Sequence, residues 1–264
     1  MAIVVNSNIA SLNAQRNLNK SQGELNTSLQ RLSSGLRVNS AKDDAAGLYT
    51  AQKMTADIRG ANQAARNSLD GISLAQVAEG ALSEISNNLQ RIREIAVQSA
   101  SGTVEDRTGL QAEVTQLEAT NTDIIANTKF NGVSLLTGGA TIQIQTGAES
   151  GETVSVTGGS LSLTAATVSS SGGADTALGT SDTNINSIST LRATYGSVQN
   201  RFESIISNLQ SLSENVSSAR SRILDADFAS ETASLTRAQI LQQAGVSVLS
   251  QANTLPQIAL GLLG

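Results

Sequence analysis

The chain has 264 residues, 2% of them aromatic, with one proline and no histidine, cysteine or tryptophan. It lacks the bulky residues that fill a thick globular core, and it points instead to thin seams of Leu, Ile, Val and Ala between helices. Without Cys or His there is no thiol nucleophile, no imidazole base and almost no route to a zinc or transition-metal site, so no cofactor is expected; a net charge of −5 argues against phosphate-driven nucleic-acid binding.

The N-terminal segment has no basic stretch before its short apolar patch and does not read as a cleaved secretory signal. No stretch of the chain reaches the roughly 20 apolar residues of a membrane span, so no membrane partner is expected. Leu18, Leu25, Leu29, Leu32 and Leu36 predict a helix, which Gly23 weakens by up to about 1 kcal/mol relative to Ala and which Ser33, Ser34 and Gly35 interrupt. Lys42, Asp43 and Asp44 then read as a helix start, with carboxylates placed on the dipole rather than for catalysis.

Ala75, Ala78, Leu82, Ile85, Leu89, Ile92 and Ala96 recur at helical spacing and mark a buried seam. Gln90, Arg91, Glu94, Ile95 and Gln98 fall on the polar side and flank of that helix. Leu110, Val114, Leu117, Asn121 and Ile124 predict a returning antiparallel helix, reached through the turn from Gly102 to Gly109. From Phe130 to Asp182 the pattern changes: Asn131-Gly132 and Gly138-Gly139 are turn signals, and Ile142 and Ile144, Val154 and Val156, Leu161 and Leu163 alternate. These predict one or two β-hairpins followed by a Gly/Ser/Thr-rich loop, with no Lys or Arg between Lys129 and Arg192.

A second long seam runs through Ile185, Ile188, Tyr195, Val198, Phe202, Ile205, Leu209, Leu212, Val216, Ala219, Ile223 and Ala226, with Arg192 its polar intruder. Asp225 and Asp227 after it read as a cap or a salt-bridging partner, since hard cations need more oxygen ligands than this spacing supplies. A third seam follows: Ala238, Leu241, Gly245, Val248, Ala252, Leu255, Ala259 and Leu262. No charged residue occurs from Ala238 to Gly264. Such a helix must fold back on its own N-terminus or pack against copies of itself.

The fold class is therefore mainly α: an elongated antiparallel helical rod or coiled coil with a small central β-hairpin insertion. Three regions are expected, at 1–42, 43–227 and 228–264. The middle one would hold helices at 43–128 and 185–227 around an insertion at 130–182.

Several strings resemble bacterial flagellin. They are LSSGLRVNSAKDDAAGL (Leu32 to Leu48), NQAARN (Asn62 to Asn67), GISLAQVAEGAL (Gly71 to Leu82), LQRIREIAVQS (Leu89 to Ser99), FNGVSLL (Phe130 to Leu136) and SARSRILDADFASETASLTRAQILQQAGVSVLSQAN (Ser218 to Asn253). The likeness covers about residues 1–136 and 190–264. It implies a short flagellin with little or no outer domain, a structural subunit and not an enzyme. Such a subunit is exported unfolded through the flagellar type III system and folds on assembly into the extracellular filament.

The resemblance further implies terminal helices paired in the filament core, with Leu25, Leu29, Leu32, Leu241, Val248, Leu255 and Leu262 as core positions. It places Asp43, Asp44, Asp225 and Asp227 in the spoke between inner and outer layers. Implied partners are copies of the chain, the flagellar cap, hook-associated junction proteins and an export chaperone. Toll-like receptor 5 of animal hosts is a further implied partner, through Gln90, Arg91, Ile95, Gln98, Glu113 and Leu117, with Ile95 where Leu is usual. Two alternatives are weaker. A hook-filament junction protein shares the terminal plan but not the close strings, and a filament-displayed metalloprotease needs the histidines of H-E-x-x-H.

Overall fold

The computed structural model describes residues 7–138 and 140–261, with residues 255–261 described by backbone alone. Its described elements are α1 (Ile9–Ser34), α2 (Ala45–Ala100), α3 (Thr108–Asn127), β1 (Lys129–Phe130), β2 (Val133–Ser134), β3 (Thr141–Gln145), β4 (Thr153–Thr157), α4 (Ser171–Leu224) and α5 (Phe228–Gly261). The fold is mainly α with small antiparallel strand pairs, as expected. Packing divides it into unit 1, Met1–Thr55 with Asn215–Gly264, and unit 2, Ala56–Glu214. The boundaries expected at 42/43 and 227/228 both fall inside unit 1.

In unit 1, α1 and α5 run antiparallel. Asn8 Nδ2 donates to the Ala252 carbonyl at 2.8 Å, Gln242 Nε2 to Gln22 Oε1 at 2.6 Å, and Arg31 faces Glu231 at 3.6 Å. Helix α1 starts on Asn8, whose Oδ1 accepts from the Ser11 N–H at 3.0 Å. It passes through Gly23 unbroken and ends at Gly35, whose φ of 71° is the left-handed conformation a helix exit favours. Past that turn, the Arg37 and Val38 N–H groups both donate to the Leu224 carbonyl and Val38 is buried.

Unit 2 has the larger core. All seven residues of the α2 seam expected from Ala75 to Ala96 are at most 3% exposed. The α4 residues Ile188, Tyr195 and Phe202 are buried opposite them, and Val114 closes the layer from α3. Complete burial of a Leu, Ile or Phe side chain contributes about 1.5–3 kcal/mol. Gly71 permits a close approach between elements, since a Cβ there would lie 2.7 Å from both Ile144 Cδ1 and the Phe202 ring.

The two hairpins are antiparallel. Asn131 (φ 48°) and Gly132 (φ 80°) turn β1 into β2 and pair Phe130 with Val133; β3 and β4 pair Ile142 with Val156 and Ile144 with Val154.

Two expectations fail between residues 158 and 190. Leu161 and Leu163 form no strand; they belong to an extended strap held by side chains. The Ala166 and Val168 N–H groups donate to Glu118 Oε1 (2.5 Å) and Gln111 Oε1 (2.7 Å), Asn184 brackets both backbone groups of Thr164, and Ser99 Oγ donates to the Val168 carbonyl. The insertion also ends early, because α4 begins at Ser171 and not at 185. Small residues, Ala174, Ala177, Ser181 and Asn184, bury this first part of α4, and Ser170 Oγ accepts from the Gly173 N–H at 3.1 Å. Gly139, half of the expected Gly138-Gly139 turn, lies outside the described residues.

Candidate assembly surface

The helix pair of unit 1 places its side chains in an inverted way. The buried positions of α1 are Ser11, Ala14, Ser21 and Ser28, with Leu18, Leu25 and Leu32 half-buried between them in the same heptad register. On α5 the buried positions are Ala238 and Ala252, and Glu231, Leu235, Gln242, Gly245 and Leu249 fall half-buried along the same stripe. Small residues bring the two backbones together. Large apolar side chains are left outside: Ile9 is 65% exposed, Leu12 55%, Leu29 49%, Ile240 60%, Leu241 47%, Val246 54% and Val248 55%.

This corrects the expected α5 seam. Ala238, Gly245 and Ala252 do face α1, but Gln242 and Leu249 take the places given to Leu241 and Val248. At 100° per residue Leu241 and Val248 lie on one flank of that stripe, Val246 on the other and Ile240 near the back. A helix apolar on several sides is suited to being covered on several sides. Leu18, Leu241, Gly245 and Val248 line an open groove of about 420 Å³, with Lys20 and Glu24 on its rim. Leu262 and the side chain of Leu255 lie outside the described residues.

Two aromatic side chains of unit 1 are also open to solvent: Tyr49 is 72% exposed and Phe228 67%.

Of the four aspartates, two cap helices and two do not. Asp44 Oδ1 accepts from the Gly47 N–H at 2.8 Å, and Asp227 Oδ1 accepts from the Ala229 N–H at 2.9 Å, so each carboxylate sits on the first turn of its helix. Asp43 faces backward and accepts from the Ser40 hydroxyl and from the Ser40 and Asn39 N–H groups. Those bonds, the Ser40 hydroxyl foremost, hold its carboxyl below the usual aspartate range. Asp225 accepts from the Ser221 hydroxyl at 2.6 Å, and its backbone bridges to Leu36.

On unit 2, Gln90, Arg91, Gln98 and Glu113 are exposed and Leu117 is half-buried. Arg91 pairs with Glu113 at 2.8 Å and with Glu94 at 3.1 Å, and these bonds, Glu113 first, raise the guanidinium above its ordinary range. Ile95 does not join them. It is completely buried, because the α2 stripe widens here to carry Ile92, Ile95 and Ala96 into the core. It therefore offers no surface to a partner, against the sequence expectation.

Among the described residues no three acidic side chains stand together as a metal ion requires, and no helix is long and apolar enough to cross a membrane. Sequence reasoning missed the exposed Ile9, Leu12, Ile240 and Val246. Their signal was present in apolar residues that fall off the chosen seam.

Comparison with known proteins bears on the same elements. The model of the bacterial flagellin N-terminal helical region matches residues 5–141, and that of the C-terminal helical region matches 178–263. Flagellin of Xenorhabdus nematophila is 44% identical over an alignment covering 100% of both chains. Flagellin of Salmonella muenchen is 55% identical over 158 residues, 59% of this chain but only 31% of that protein, so the match spans about a third of its length. The crystal structure of Bacillus cereus flagellin superposes with a TM-score of 0.51 at 35% identity, covering 55% of this chain and 88% of that one.

Proposed function

The chain belongs to the bacterial flagellin family, a family of structural proteins, and from that premise we propose that it polymerises into the flagellar filament through the α1/α5 pair of unit 1. The inverted packing of that pair carries the reading. Large apolar side chains at 47–65% exposure are a standing cost in a lone subunit, and covering them yields about 25 cal/mol per Å². Identical neighbours supply a cover at every position of a lattice. In this reading 1–42 and 228–264 form the inner helix pair and 43–227 the outer rod, with Asp43, Asp44, Asp225 and Asp227 in the spoke. The subunit is exported unfolded, aided by an export chaperone, and folds outside the cell beneath the flagellar cap on a base of hook-associated junction proteins. Coupling folding to assembly keeps the exported chain thin.

Recognition by Toll-like receptor 5 would rest on Gln90, Arg91, Gln98 and Glu113, with Leu117 at the edge and without Ile95.

Seeded polymerisation tests the reading. Purified subunits should grow filaments visible by electron microscopy on fragments of existing filament, and a variant lacking residues 238–264 should not. Growth by the truncated variant would overturn the role given to α5.

A further inference from the structure

A cavity of about 150 Å³ lies within unit 2. Its floor is apolar, formed by Leu89 and Ile92 of α2, and its polar walls come from Glu118 and Asn121 of α3 and Ser181 and Asn184 of α4. The strap from Leu163 to Ala166 closes one side. Most of this polarity is already matched: Glu118 Oε1 accepts from Ala166, Asn184 brackets Thr164, and Asn121 Oδ1 accepts from Asn88 Nδ2 at 2.8 Å. Two groups are not. Asn121 Nδ2 and Ser181 Oγ have no hydrogen-bond partner among the described residues, although each residue is only 1% exposed.

Unpaired buried polar atoms cost more than an average hydrogen bond contributes, and two of them on one cavity call for a shared partner. The partner's chemistry is restricted. An anion would face the Glu118 carboxylate. A metal cation would face the hydrogens of Asn121 Nδ2 with a single carboxylate to hold it. An apolar guest would leave both groups unpaired. A small neutral molecule that both accepts and donates meets every requirement, and at roughly 30 Å³ per water the cavity has room for about five.

We propose that this cavity is an internal hydration site, in which ordered water accepts from Asn121 Nδ2 and exchanges a hydrogen bond with Ser181 Oγ. The polar chain Asn88–Asn121–water–Ser181 then joins α2, α3 and α4, and resists the sliding of one helix past another where apolar side chains alone would allow it.

Two measurements on the full-length subunit test this. The side-chain amide protons of Asn121 should show a cross-peak to water of the sign set by slow, protein-like tumbling. Ser181→Ala should lower Tm by roughly 2–4 °C, because it strips a partner from bound water. A missing cross-peak, or a Tm that stays level or rises, would mark a dry cavity whose polar groups are better removed, and would overturn the proposal.

Discussion

The two units solve the packing of long helices in opposite ways. In unit 2 the large side chains Leu82, Ile85, Ile92, Tyr195 and Phe202 are at most 1% exposed and interlock between helices. In unit 1 serine and alanine take the fully buried seam positions, with leucines only half-buried between them, while Ile9, Leu12, Ile240, Leu241, Val246 and Val248 face outward. Burial is the main favourable term in folding, so unit 2 has its stabilisation within one chain, whereas much of what unit 1 needs lies on its outer surface. The difference fits the proposal that unit 1 is covered by neighbouring copies while unit 2 is stabilised within one chain.

Removing residues 238–264 should sharpen that contrast most. Assembly followed by light scattering should be lost entirely, while the cooperative melting of unit 2 followed by circular dichroism persists. Loss of the unit 2 transition would break the comparison. Phe202→Ala attacks the other side and should cost unit 2 about 3–5 kcal/mol in denaturant unfolding, through the cavity left against Gly71 and Ile144.

Tyr195→Phe should cost about 1–3 kcal/mol by orphaning two buried groups, because the Tyr195 hydroxyl donates to the Leu135 carbonyl at 3.1 Å and accepts from the Gly159 N–H at 3.2 Å. It should also change the alkaline limb. Burial pushes the Tyr195 hydroxyl above its usual range, against the opposing pull of the Gly159 bond. A folded-state pKa above the unfolded one gives stability that is full below the unfolded pKa and lost as pH rises toward the folded one. Stability measured against pH above about 10 should therefore fall less in the phenylalanine variant.

Leu241→Ser and Val248→Ser should leave monomer stability within about 0.5 kcal/mol yet raise the subunit concentration needed for filament growth. The smallest effect is at Asp43. Its folded pKa is depressed, so the loop bonds it accepts are present above the unfolded value and lost as pH falls through the folded one. The carboxyl resonance of Asp43 should titrate below that of an ordinary aspartate, and Ser40→Ala should move it back up.

The seam of α2 was legible residue by residue because large apolar side chains repeat there on one stripe with polar neighbours on both sides. That of α5 was not, because apolar residues lie on several of its faces and a 3-4 spacing fits more than one of them. Leu241 and Val248 satisfied the spacing as well as Gln242 and Leu249 do, and only contact with α1 distinguishes them. The start of α4 was hidden for another reason: Gly172 and Gly173 look like loop, and Ala174, Ala177 and Ser181 bury through smallness rather than hydropathy. The strap is invisible to periodicity, since distant side chains and not its own pattern hold it. Asp44 and Asp227 could be placed because capping is local to the sequence, whereas the burial of Ile95 depends on how wide a stripe the neighbouring elements cover.

The chain has two tyrosines and no tryptophan. Tyr49, in unit 1, is 72% exposed, and Tyr195, in unit 2, is 1% exposed. Each region thus carries its own chromophore, with no indole emission to mask either. Quenching by a dissolved collider should reach Tyr49 in the free subunit and spare Tyr195, so the optical signal of the untagged protein separates events in one region from events in the other.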